Sequence, residues 1–248
     1  MTGVRPLAGF LWALASLALA VGVWAGVRVA PGIAPFRLES VRVEGVHRTR
    51  PAAVLEAANL STGVALFSLD VEEIRQAAER LPWVRRARVV RQVPSALTVT
   101  AEEWVPRYLV SLDRLYYLTA EGHVVKAPLD QGLDFPVVTG LTWGDLEGSG
   151  PLRDALLELF GELDRNFGDG ELSEIHADAT TGFTVYSAKS PGQGIYLGFG
   201  SVGEKFSRLS RLRRHLERHN QVARAVSLVY DDKIIARLAP AAGEGPEK

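Results

Sequence analysis

Residues 198–203, Gly-Phe-Gly-Ser-Val-Gly, carry a GxGxxG spacing. In a dinucleotide site this spacing turns a strand into a helix whose first N–H groups meet a pyrophosphate. A strand candidate precedes it, a helix candidate follows it, and Asp231-Asp232 closes the next strand as a ribose carboxylate would. Only 16 residues follow Asp232, too few for the further βαβ units of a doubly wound sheet. The expectation is therefore a glycine-permitted turn into a helix, with no cofactor. His215 and His219 stand one helical turn apart with Glu217 between them. A zincin helix needs its glutamate directly after the first histidine, and here that position is Leu216. His47, His123 and His176 add no ligand spacing, so no metal is expected. Arg208, Arg211, Arg213, Arg214 and Arg218 read as the solvated face of the same helix, partly balanced by Glu204 and Glu217. No G-x-S-x-G elbow occurs, and nothing singles out a carboxylate pair for acid–base work. The residues point to a non-enzymatic protein.

Composition narrows the classes further. The 248 residues hold 28 basic and 29 acidic side chains, a net charge of −1 that disfavours a dedicated nucleic-acid binder. An apolar content of 47% with 23% charged residues excludes a mostly disordered chain. The absence of cysteine excludes disulfides, Cys-ligated zinc and thiol catalysis together.

The apolar content is unevenly spread. Pro6 to Val27 contains no charged residue over 22 positions, fenced by Arg5 and Arg28. As a helix this run is about 33 Å long, enough for a hydrocarbon core of about 30 Å. Trp24 lies near one end, where an indole anchors at an interface. Ala18-Leu19-Ala20 could pass for a signal-peptidase site, but it falls inside the run, which exceeds the usual cleavable length. An uncleaved single span is expected. Arg28, Arg37 and Arg42 follow the run and only Arg5 and the α-amino group precede it, so charge alone does not set the orientation.

Beyond the Pro- and Gly-punctuated residues 30–35, Phe36–Glu44 reads as a strand with Val41 and Val43 on one face. Gly45 ends it. Thr49 is a candidate helix cap with Pro51 in the first turn and Val54, Leu55 and Ala58 as the apolar stripe. Asp70, with Glu73 three residues on, starts a second helix lined by Val71, Ile74, Ala78 and Leu81 and stopped by Pro82. Strands at Val84–Arg91 and Ala96–Glu103 flank a Val93-Pro94-Ser95 turn. The order β-α-α-β-β over about 70 residues is a small α+β unit. After Pro106 come strands at Tyr108–Leu112, Arg114–Leu118 and Val124-Val125, then a helix opened by Pro151. Further strands at Leu172–Ala177, Phe183–Ser187 and Ile195–Leu197 precede a helix over about Val202–His219. A long last strand is expected from Ala225 to Ala239.

The segment from Phe36 to Pro106 closely resembles the POTRA domain of the bacterial cell-division family FtsQ/DivIB. The matching residues are Val41-x-Val43-x-Gly45, Gly63-x-x-Leu66-Phe67-x-Leu69-Asp70, Leu81-Pro82-Trp83-Val84, Ala87-x-Val89, Arg91, Pro94, Leu97-x-Val99 and Glu103-x-x-Pro106. Physically, Pro82 ends a helix, Trp83 is expected to plug the helix–sheet layer and Val84 starts a strand. The later half resembles the family's β domain more loosely, through Tyr116–Gly122, Pro136-Val137-x-x-Gly140, Ile195-x-Leu197-Gly198, Lys205-x-x-Arg208-Leu209 and Leu228-x-Tyr230. Trp104 departs from an Arg frequent in the family's exit motif. Ser227 and Val229 replace the Asp and Arg of its usual late strand.

The resemblance implies an α+β protein with one N-terminal transmembrane helix, a β-α-α-β-β POTRA domain and a mixed β-sheet domain with flanking helices. Residues 1–6 would be cytoplasmic, 7–29 the span, 30–35 a linker, 36–104 the POTRA domain, 105–239 the β domain and 240–248 a disordered tail. It implies a non-catalytic scaffold at the septum of the inner membrane, with its bulk extracytoplasmic. Its partners would be FtsB- and FtsL-type coiled-coil proteins, bound by strand addition at the last strand, and septal synthases of the FtsW/FtsI type. Leu228, Tyr230, Asp232, Lys233 and Ile234 are the expected contact residues, although Tyr230 could equally pack within the sheet. Gly45, Gly63, Asp70, Leu81, Pro82, Trp83, Val84 and Pro94 are expected to be structural. Two other classes fit less well: a POTRA-bearing outer-membrane assembly or secretion component, and a secreted hydrolase.

Overall fold

The computed structural model describes residues 16–22, 36–168, 170–189 and 192–239. Packing divides the chain into two compact units, Met1–Trp104 and Val105–Lys248. Residues 16–22 are helical, and Leu17, Leu19 and Val21 are exposed. Among the described residues no helix is long and apolar enough to cross a membrane. The rest of the expected span, the 30–35 linker and the 240–248 tail lie outside them.

The N-terminal unit contains β1 (Ser40–Glu44), α1 (Pro51–Ala57), a 3₁₀ turn (Leu66–Ser68), α2 (Val71–Glu79), β2 (Val84–Gln92) and β3 (Ala96–Glu103). The sheet order is β1-β3-β2, with β1 parallel to β3 and β2 antiparallel to it. Leu97, Val99 and Ala101 of the central strand meet Val54 of α1 and Ile74 and Ala78 of α2 in one core. The Asp70 carboxylate caps α2 by accepting from the N–H groups of Glu72 and Glu73, at 2.9 and 3.3 Å. Pro82 lies in the turn after α2, which the Val84 N–H closes on the Leu81 carbonyl at 3.0 Å. Val93-Pro94, a cis peptide, turns β2 into β3.

Three local expectations need correction. The first strand starts at Ser40, because Phe36–Leu38 instead pair with the 63–66 turn; Leu38 N–H meets the Val64 carbonyl at 2.8 Å. Arg50, not Thr49, is the N-cap of α1 and makes no side-chain cap bond; the Thr49 N–H is held instead by Glu103 at 2.7 Å. Trp83 does not plug the helix–sheet layer. It is half-buried, with the Arg48 guanidinium 4.5 Å above its ring. A charged guanidinium over that ring would be costly to take into the apolar core.

The second unit is built on a nine-stranded mixed sheet in the order β12-β11-β10-β9-β8-β7-β4-β5-β6. In chain order these are β4 (Pro106–Ser111), β5 (Leu115–Thr119), β6 (Val124–Val125), β7 (Val137–Thr139), β8 (Leu172–Asp178), β9 (Gly182–Ser187), β10 (Gly194–Gly198), β11 (Ala223–Ser227) and β12 (Ile235–Leu238). Helices α3 (Trp143–Leu146), α4 (Pro151–Asn166) and α5 (Val202–Arg218) intervene. Leu156, Leu159, Phe160 and Leu163 of α4 and Phe206 and Leu209 of α5 pack with Val138, Ile175, Val185 and Ile195 of the sheet. Strand alternation puts Thr139, His176, Thr184 and Tyr196, adjacent in register, on the other face.

The long last strand is not formed. The 225–239 stretch folds as an antiparallel hairpin of β11 and β12, leaving Leu228–Ile234 as the connection between them.

Candidate partner-binding edge

The crossover β10–α5–β11 sets the end of the sheet. β11 lies parallel to β10, and β12 then folds back antiparallel to β11. Among the described residues β12 has no neighbour on its other side, so there it presents one free row of backbone donors and acceptors.

Two cations of α5 hold the backbone that leads to this edge. Lys205 is only 2% exposed, and its ammonium donates to the carbonyls of Leu197 (2.7 Å) and Phe199. Burial pulls its pKa below the usual lysine value, against a smaller opposing pull from Asp231. Gly198, at φ +67°, makes the turn that aims these carbonyls at the ammonium. The GxGxxG stretch is thus a lysine-clamped strand-to-helix turn. Arg208, one turn further along α5, donates to the carbonyls of Tyr230 (2.8 Å) and Lys233 (2.6 Å). Two bonds from one rigid fork fix the shape of the loop. The ammonium of Lys233 lies 4.5 Å from the Tyr230 ring, which orients the phenol.

The five residues assigned to the last strand therefore sit in a loop beside the edge. Leu228 is fully buried, its N–H bonded to the Tyr196 carbonyl at 2.8 Å. Ile234 is half-buried against the core. Tyr230 is 48% exposed, and Asp232 and Lys233 are exposed. The correction has a local cause: two consecutive carbonyl-bearing turns bound to one guanidinium cannot also run in a ladder. Around them Val222, Val229, Ile235 and Leu238 are all exposed apolar side chains. Val229 and Ile235 stand with Tyr230 at one end of the β11–β12 pair, and Val222 and Leu238 at the other.

Sequence reasoning missed Arg208 and Lys205 as organisers, reading Arg208 as solvated surface. The polar run Asp231-Asp232-Lys233 was the available sign of a break in the strand. The His215 and His219 rings lie 4.3 Å apart, tilted by 36°, and the His219 Nδ1 lies 2.8 Å from the His215 carbonyl. Among the described residues no three His, Asp or Glu side chains cluster in a way that could hold a metal.

The N-terminal signature residues do a different job. Gly45 has φ +78°, and a Cβ there would lie 2.1 Å from the Ala101 carbonyl oxygen. The loop that follows delivers the N–H groups of His47 (2.9 Å), Arg48 (2.9 Å) and Thr49 (2.7 Å) to the Glu103 carboxylate. Burial alone would raise the Glu103 pKa; the bonds from Thr49, Arg48 and His47 outweigh it and leave the carboxyl below its ordinary value.

Comparison with known proteins supplies a context for both halves. Residues 36–104 match the model "POTRA domain, FtsQ-type" and residues 108–231 match "Cell division protein FtsQ/DivIB, C-terminal". The cell division protein FtsQ of Geotalea daltonii is 33% identical over 218 residues, covering 85% of this chain and 78% of the relative. That of Syntrophotalea carbinolica is 34% identical over 221 residues, covering 84% and 77%. That of an Anaeromyxobacter species is 33% identical over 241 residues, covering 93% and 81%.

Proposed function

Since the chain belongs to the FtsQ/DivIB family of cell-division proteins, we propose that it acts as a non-catalytic, membrane-anchored scaffold whose β12 edge captures an extended segment of a division partner. The observation that carries this reading is the edge of β12, which has no strand neighbour on its outer side among the described residues, with exposed Tyr230, Val229 and Ile235 at one end and exposed Leu238 and Val222 at the other. A segment laid along β12 gains main-chain hydrogen bonds, and the apolar neighbours supply side-chain selectivity. The partners are FtsB- and FtsL-type coiled-coil proteins, and through them septal synthases of the FtsW/FtsI type. Tyr230 is the aromatic anchor, Asp232 and Lys233 form its polar rim, and Leu228 and Ile234 support the loop from within. The uncharged run from Pro6 to Val27 is the membrane anchor, with the N-terminus cytoplasmic and both domains outside.

Tyr230→Ala tests the anchor assignment. The substitution is expected to weaken binding of an FtsB-type segment roughly tenfold, about 1.4 kcal/mol. Unchanged affinity would remove Tyr230 from the interface.

A further inference from the structure

Among the described residues of the N-terminal unit from Phe36 onward, the large apolar side chains left exposed are Phe67 (46%), Val90 (46%) and Val93 (61%). They lie at one end of that unit, the end where the chain arrives from the apolar run. The Phe67 ring packs on Phe36 with centroids 5.4 Å apart, and the Leu66 N–H bonds the Phe36 carbonyl at 2.9 Å. Val93 is in the β2–β3 turn. The next residues of that turn are tied to the entering chain, where the Glu39 N–H meets the Ser95 carbonyl at 2.8 Å and the Ser95 hydroxyl meets the Glu39 carboxylate at 2.9 Å. Arg91 joins the two halves of this end by donating to the Leu66 carbonyl at 3.2 Å and to the Leu69 carbonyl. Val90 pairs with Thr98 on the outer face of the same end of the sheet.

We infer that this end, with Phe36, Phe67 and Val93 at its tip, is a docking surface for the lipid bilayer. The inference rests on the anchor reading of residues 6–27. Eight residues, 28–35, separate that run from Phe36, and fully extended they reach at most about 28 Å. The tether thus keeps the end at which the chain enters the domain, at Phe36, within that distance of the headgroup layer. The surface suits that layer: an aromatic pair and valines enter the boundary between headgroups and acyl chains. Arg37 and Arg42, both exposed, stand at its rim where long cationic side chains reach phosphates, one Arg37 nitrogen being already given to the Gly63 carbonyl at 2.7 Å. The nearby Glu39 carboxylate is occupied by the Ser95 hydroxyl, and Glu44 lies 3.9 Å from Arg42. Docking would fix the orientation of the domain above the membrane without any protein partner.

The chain has no cysteine, so single labels can be placed without altering a background. Full-length Leu17→Cys, Phe67→Cys, Val93→Cys and Ala52→Cys variants, spin-labelled and reconstituted in anionic phosphatidylglycerol-containing nanodiscs, would be compared for collision with oxygen and with a water-soluble nickel chelate. Labels at 67 and 93 are expected to shift toward oxygen and away from nickel relative to the label at 52, which sits at the start of α1. Aqueous behaviour at 67 and 93 with a lipid-embedded label at 17 overturns docking and leaves the anchor intact. An aqueous label at 17 overturns the anchor reading and the docking with it. Labels at 67 and 93 shielded from both reagents indicate a protein contact and also overturn the proposal.

Discussion

Glu103 in the N-terminal domain and Arg208 in the β domain do the same physical work with opposite signs. The carboxylate gathers three N–H groups of the 47–49 loop, and the guanidinium gathers two carbonyls of the 230–233 loop. Their surroundings differ. The loop on Glu103 follows a glycine with no room for a Cβ and leads into Thr49, which is buried. The loop on Arg208 leaves Tyr230, Asp232 and Lys233 facing solvent next to a free strand edge. The first clamp closes a domain upon itself, whereas the second holds a shape ready for something else. Ionic clamps of similar geometry therefore predict different losses when removed.

The largest loss belongs to the closed side. Gly45→Ala drives a methyl group into the Ala101 carbonyl at a positive φ, and thermal or urea unfolding should show the N-terminal domain destabilised by about 3 kcal/mol or more. A loss within experimental error would mean that β1 and the 47–49 loop relax freely, which would dissolve the contrast.

Glu103→Gln should cost less, roughly 1–3 kcal/mol, because an amide oxygen replaces a charged acceptor for three donors. The pH dependence gives its sign. The folded-state pKa lies below the ordinary glutamate value, so the stabilisation is present above the unfolded pKa, about 4.3. It is lost as pH falls from there through the folded pKa. Wild type should lose stability over that acid window more steeply than Glu103→Gln; equal slopes would show that the carboxylate charge is irrelevant to the clamp.

Arg208→Ala should have the smallest effect on stability, about 1 kcal/mol or less, since the side chain is only half-buried and its bonds go to exposed backbone carbonyls that water can serve. Its partner affinity should fall several-fold, because the loop no longer arrives in its bound shape. A destabilisation as large as that of Gly45→Ala would make Arg208 a second closing clamp and break the comparison.

Much of the N-terminal domain could be read locally. Asp70 before an apolar stripe, Pro82 after it and the alternation in Leu97-Thr98-Val99-Thr100-Ala101 are signals carried within a few residues. The hairpin at the sheet edge was not legible, because Ala225–Val229 and Ile234–Leu238 each look like strand. What separates them is a guanidinium on α5, 22 residues before Tyr230 and 25 before Lys233. The site shows the same limit. Tyr230 could be named from its type, but its exposure and the support from Arg208 and Lys205 depend on how α5 packs. Helix α3 is a different case: Thr142 and Asp145 form a capping box in which the Thr142 N–H donates to the Asp145 carboxylate at 2.8 Å, and the Thr142 hydroxyl also donates to that carboxylate at 2.6 Å, a pairing of residue types visible in the sequence.

The central claim, that β12 receives a partner strand, is tested most directly by amide hydrogen exchange of the full-length protein with and without an FtsB-type segment. Strand addition predicts strong new protection at Ile235–Leu238, with little change in Ala223–Ser227, whose strand already has neighbours on both sides. Saturating binding that leaves the β12 amides exchanging as before would contradict it.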